Sequence, residues 1–90
     1  MTPAIVLALA AMREAQAACP ALTRPLTLVV APEPRWAQGV RAHFDTAQPY
    51  TIHLDPRERR VVLVVRHEVQ HACRWAQGRP DWAMGEAVYR

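Results

Sequence analysis

The stretch from Asp55 to Gly78 constrains the fold more than any other part of the chain. From Arg57 to Gln77 it contains no glycine or proline, and its centre is the apolar run Val61-Val62-Leu63-Val64-Val65. So many β-branched residues make a buried strand a real competitor. Three features favour a helix instead. Asp55 is a good N-cap, Pro56 suits a first helical position, and Glu58 stands three residues after the cap, as in a capping box. Val61, Val65, Val69, Ala72 and Ala76 recur at helical spacing. Gly78, with Pro80 two residues on, reads as a C-terminal stop. The spacing therefore predicts a helix over 56–77. A helix apolar nearly all round in its first half belongs in the middle of a small domain. A shorter helix is expected from Pro80 towards the C-terminus.

Ninety residues leave room for one domain and one modest core. Thr2 and Pro3 suit an N-cap and first helical position, and Ile5, Leu9 and Met12 share one face of a helix running to about Ala18. Leu26 to Ala31, bounded by Pro25 and Pro32, reads as a buried strand. Val40 to Phe44 and Tyr50 to Leu54 both alternate apolar and polar residues, so they are expected to pair as a hairpin. Pro49 and Pro56 flank the second of these, as suits an edge strand. His43 and His53 fall on the polar side and are expected to face solvent. The chain thus reads as a single α+β domain, residues 1–90, with a small three-stranded mixed sheet.

Composition removes several chemistries. The chain has no serine, lysine or asparagine, and all eleven of its positive side chains are arginine. Serine-nucleophile hydrolysis, Schiff-base catalysis and a phosphate loop are excluded. Three glycines cannot build a dinucleotide fingerprint. A net charge of +3 permits a nucleic-acid partner, but no motif supports one, and no membrane partner is expected. Cys19 and Cys73 are too few for a disulfide framework and read as reduced thiols in a cytoplasmic protein, Cys73 as a small buried hydrophobe. The apolar run Ile5 to Met12 precedes Ala15-Gln16-Ala17, which looks like a cleavage site. No positive charge precedes the run, so a domain helix is expected and secretion is the minority reading.

His67-Glu68-Val69-Gln70-His71 is an HExxH motif on the long helix. Histidines four apart lie one above the other, so both rings can reach one ion. Glu68 is one position round, beside such an ion, where it can hold a water and take its proton. A zinc site needs a third protein ligand, and Asp81 and Glu86 are the downstream candidates. The helix falls about 9 Å from His71 to its end, and Glu86 lies about 9 Å up the next helix, so Glu86 returns to the level of His71. Asp81 stays near the loop. Trp36, Trp75 and Trp82 read as core and rim aromatics, with Trp82 placed to border the cleft.

This order of elements resembles a zincin metallopeptidase, and more narrowly a gluzincin of minimal size, a minigluzincin. Leu63 to Ala72 resembles its active-site helix, Gly85-Glu86-Ala87 its glutamate-bearing helix, and Thr51-Ile52-His53-Leu54 its substrate-facing edge strand. The resemblance implies zinc held by His67, His71 and Glu86, with Glu68 as general base and acid in peptide hydrolysis. It implies that an extended peptide or protein substrate adds to Thr51, Ile52, His53 and Leu54 through backbone hydrogen bonds. Tyr89, three residues after Glu86, is the candidate for stabilising the oxyanion. The chain is also similar to ImmA/IrrE-type and SprT-type families, which implies a regulatory alternative acting on DNA-associated proteins. A zinc-binding domain of this fold without activity is the third expectation.

Overall fold

The computed structural model describes residues 1–83. They form a small α+β domain of two helices and a three-stranded mixed sheet. The elements are α1 (Pro3–Ala17), β1 (Thr27–Val30), a 3₁₀ turn (Pro34–Gln38), β2 (Ala42–Phe44), β3 (Thr51–Leu54) and α2 (Val61–Ala76). β3 lies between its neighbours, parallel to β1 and antiparallel to β2. The hairpin of β2 and β3 is as expected, with Ala42 opposite Leu54 and Phe44 opposite Ile52.

The helix reading of the Val61-Val65 run holds. Val61, Val64, Val65, Val69 and Ala72 are buried against Phe44, Ile52 and Leu54 of the sheet and Ala8 and Met12 of α1. Gly78, at φ 73°, takes the left-handed conformation that a glycine after the helix end allows. The start of the helix differs. Asp55 spends its carboxylate on the N–H of Arg57, and Glu58 accepts from the N–H groups of Arg59 and Arg60. The two acids therefore build a turn over 56–60, and α2 begins at Val61, after it.

At the other end Pro80 to Ala83 form turns; the remainder of the expected C-terminal helix lies outside the described residues. In α1, Thr2 caps as expected, its hydroxyl accepting from the N–H of Ile5 at 3.3 Å. The buried face is Ala8, Ala11 and Met12; of the expected Ile5-Leu9-Met12 face, Met12 is buried and Ile5 and Leu9 are half-buried at its margin. Small residues on that face let α1 lie close against α2.

Three expectations are corrected. Cys19 and Cys73 are not free thiols but one disulfide, with Cα atoms 6.1 Å apart. The two helices run side by side, with Arg66 and Glu14 paired at 3.6 Å, and this brings the end of α1 to the last turns of α2. β3 is central, not an edge. Pro49 and Pro56 both fall outside its four paired residues, so neither removes a ladder hydrogen bond. His53 is buried, only 8 % exposed. The Pro32-Glu33-Pro34 corner covers its side of the sheet, and its Nδ1–H donates to Glu33 at 2.9 Å. Trp36, also buried, fastens that corner by donating from Nε1 to the Ala31 carbonyl.

Long-range polar contacts tie the layers together. The Gln16 side chain, near the end of α1, accepts from the N–H of Leu26 and donates to the Arg24 carbonyl. That amide holds the approach to β1 as a neighbouring strand would. Among the described residues no helix is long and apolar enough to cross a membrane.

Candidate metal centre

His67 and His71 project from successive turns of α2, and their rings meet edge to face with centroids 4.5 Å apart. Their Nε2 atoms are 2.9 Å apart. One ligand atom each from His67, Glu68 and His71 falls within 4.8 Å of the others, the only such group of histidine, cysteine or acid side chains among the described residues. Glu68 and His71 are 2 % and 1 % exposed. Neither is a solvated residue on an outer helix face, because the same turns of α2 that carry them carry Val65, Val69 and Ala72 into the core.

The orientation of His71 is fixed from behind. Its Nδ1 lies 2.7 Å from the carbonyl of Trp82. A carbonyl can only accept, so Nδ1 carries the proton, and the neutral ring presents a lone pair at Nε2. This is the arrangement that a metal-ligating histidine uses, with a backbone carbonyl setting the tautomer. Two nitrogens that close need a shared proton or a cation between them. Two imidazole nitrogens converging beside a buried carboxylate are a donor set that suits zinc. The residues present fit a metal ion.

Aromatic rings wall the centre on one side. Phe44 of β2 meets Trp82 edge-on at 5.6 Å and Trp75 at 5.9 Å, and Trp82 stands 6.4 Å from His71. Trp82 thus borders the centre as expected, but the contribution of its backbone carbonyl has no signature in sequence, since every residue carries one.

Of the expected ligands, His67, Glu68 and His71 are brought together. Asp81 is not among them; Arg79 holds its carboxylate at 3.1 and 3.0 Å and keeps it below its ordinary pKa. Glu86 and Tyr89 lie outside the described residues. Thr51, Ile52, His53 and Leu54 lie on the central strand, the last three buried, and cannot offer an open edge. The antiparallel edge is β2, which packs on α2. No protein-family model, curated protein or solved structure matches the chain, so the reading of the centre rests on its own geometry.

Proposed function

We propose that this protein is a zinc metallopeptidase of minimal gluzincin type. The observation that carries the reading is the convergence of the His67 and His71 Nε2 atoms beside the buried Glu68, on one rigidly packed helix. In this reading His67 and His71 hold the ion and Glu86 is its third ligand. From a zinc ion in that place the site would gain Lewis acidity towards a water and a scissile carbonyl. Glu68 takes the proton from the attacking water and passes it to the leaving amine. The Trp82 carbonyl keeps the His71 ring in the tautomer that leaves Nε2 free to ligate. The β2 edge takes the place expected for 51–54, an extended peptide adding antiparallel to Ala42–Phe44.

Disulfides persist in oxidising compartments, so the Cys19–Cys73 link favours action outside a reducing cytosol and tells against a regulatory role at DNA. The test is zinc stoichiometry together with cleavage of an unfolded protein substrate. Glu68→Gln should retain one zinc per chain and lose at least about 100-fold in turnover. Wild-type turnover in that variant, or no zinc in the parent protein, would overturn the reading.

A further inference from the structure

A second constellation of charge lies at the opposite end of α2 from Gly78. A cavity of about 490 Å³ there is lined by Arg41, Arg57, Glu58, Arg59 and Arg60. Three of the four guanidinium groups are held in place by two buried carboxylates. Arg41 Nη1 and Arg57 Nη2 each lie 3.2 Å from Asp55 Oδ2, and Arg60 Nε lies 3.2 Å from Glu58 Oε1, with Arg41 Nε 3.9 Å from its other oxygen. Such pinning removes much of the rotamer entropy that arginines would lose on closing round a ligand. Arg59 enters none of the ion pairs among the described residues. Among the described residues, guanidinium groups at this hollow outnumber the carboxylates that pair with them.

The hollow also sits at the head of a helix whose N-cap, Arg60, makes no side-chain capping bond and whose first turn holds no acid. The first N–H of α2 to reach back along the helix is that of Val64, to the Arg60 carbonyl at 3.1 Å. The N–H groups of Val61 to Leu63, in the first turn of α2, and the positive end of the helix dipole therefore add to the arginine field. Asp55 and Glu58 offset part of the positive charge that the arginines bring to this helix start, and a bound anion would offset the rest.

We propose that this hollow binds a doubly charged tetrahedral oxyanion of the phosphate type, free or as a monoester. An excess of guanidinium over carboxylate suits a dianion, and guanidinium forks match its oxygens in pairs. The site is separate from the metal centre, since His67 lies roughly 10 Å along α2 from Arg60.

The test is an amide and arginine Nε chemical-shift titration of the full chain. Sulfate probes the free dianion and phenyl phosphate the monoester, each against sodium chloride at matched ionic strength. Saturable one-to-one shifts centred on Arg57 to Leu63 are expected. Arg59→Gln should weaken binding at least 5-fold, whereas Arg13→Gln, on the exposed side of α1, should leave it unchanged. Arg59 is chosen because its loss breaks no ion pair to Asp55 or Glu58, and circular dichroism verifies that the variant is folded. Tighter binding of phenyl phosphate identifies an ester as the natural form, and equal or weaker binding identifies the free anion. Shifts that do not saturate, that chloride reproduces, that centre on His67 and His71, or that survive Arg59→Gln would overturn the site.

Discussion

His67 and His71 carry the same ring, but His71 holds a backbone carbonyl of the following turn as well. Each offers an Nε2 atom to the centre, and His71 alone also holds the Trp82 carbonyl, at 2.7 Å. His67→Ala should therefore remove a ligand and leave the Trp82 carbonyl contact in place, while His71→Ala should remove a ligand and release the turn at 80–83. Both variants should lose zinc affinity by at least 10–100-fold, the range that loss of even an outer partner produces. Only His71→Ala should also change the near-ultraviolet circular dichroism of Trp82 and Trp75. Equal spectra for the two variants would show that the carbonyl contact does not order the turn. At this scale the pair was legible from spacing alone, because a four-residue step on a helix superimposes side chains whatever else the chain does. His53 was not. Alternation gives the side of a strand on which a residue lies, but the cover over that side comes from Glu33 and Trp36, elements with no pairing signal.

The turn that precedes α2 shows how a local motif can be read with the right residues and the wrong register. Asp55 and Glu58 do satisfy backbone N–H groups, as a capping pair would, but those of Arg57, Arg59 and Arg60, outside the helix. Pro56 and the arginines then fill a turn, and the helix starts where the valines can reach the sheet. Burial opposes ionisation of both acids. For Asp55 the side chain and N–H of Arg57 and the side chain of Arg41 outweigh it; for Glu58 the N–H and side chain of Arg60 do. Both carboxyl groups therefore lie below their ordinary values. A lowered folded-state pKa means that the unfolded chain binds protons first as pH falls. The stability these acids contribute is fully present above the usual carboxylate range, about pH 4–5, and is lost as pH drops through the lower folded values. Asp55→Asn removes the buried carboxylate to which two partly exposed arginines and a backbone N–H donate, and should cost about 2 kcal/mol at pH 7. In denaturant melts the gap between variant and parent should narrow steadily from pH 5 to pH 2. A gap that stays constant over that range would mean that Asp55 acts through its hydrogen-bond geometry rather than its charge.

Across the whole molecule, α2 is held by the disulfide and would be held further by a metal, and the two links differ in reach. The Cys19–Cys73 bond spans 54 residues and encloses the entire sheet, whereas a metal on His67 and His71 would first of all join adjacent turns of one helix. Nothing in the sequence announces the first. Two cysteines in one small domain pair only if the packing of α1 on α2 brings them together, and that packing depends on which face of α1 is buried, Ala8-Ala11-Met12 rather than the more apolar face. By loop-closure entropy the disulfide should contribute about 4 kcal/mol. Its reduction, or the double substitution of Cys19 and Cys73 by serine, should lower Tm by roughly 15–30 °C in a domain this size. A metal acts instead by mass action, about 2.7 kcal/mol at a hundredfold excess over its Kd. The two effects should add, because Cys73 is bonded to Cys19, just past the end of α1, while His71, two residues earlier, holds the Trp82 carbonyl. Differential scanning calorimetry of oxidised and reduced protein, each with and without zinc, resolves the question. Equal zinc-induced gains in stability are expected in both redox states. A markedly smaller gain after reduction would show that the disulfide positions the metal helix as well as closing the chain.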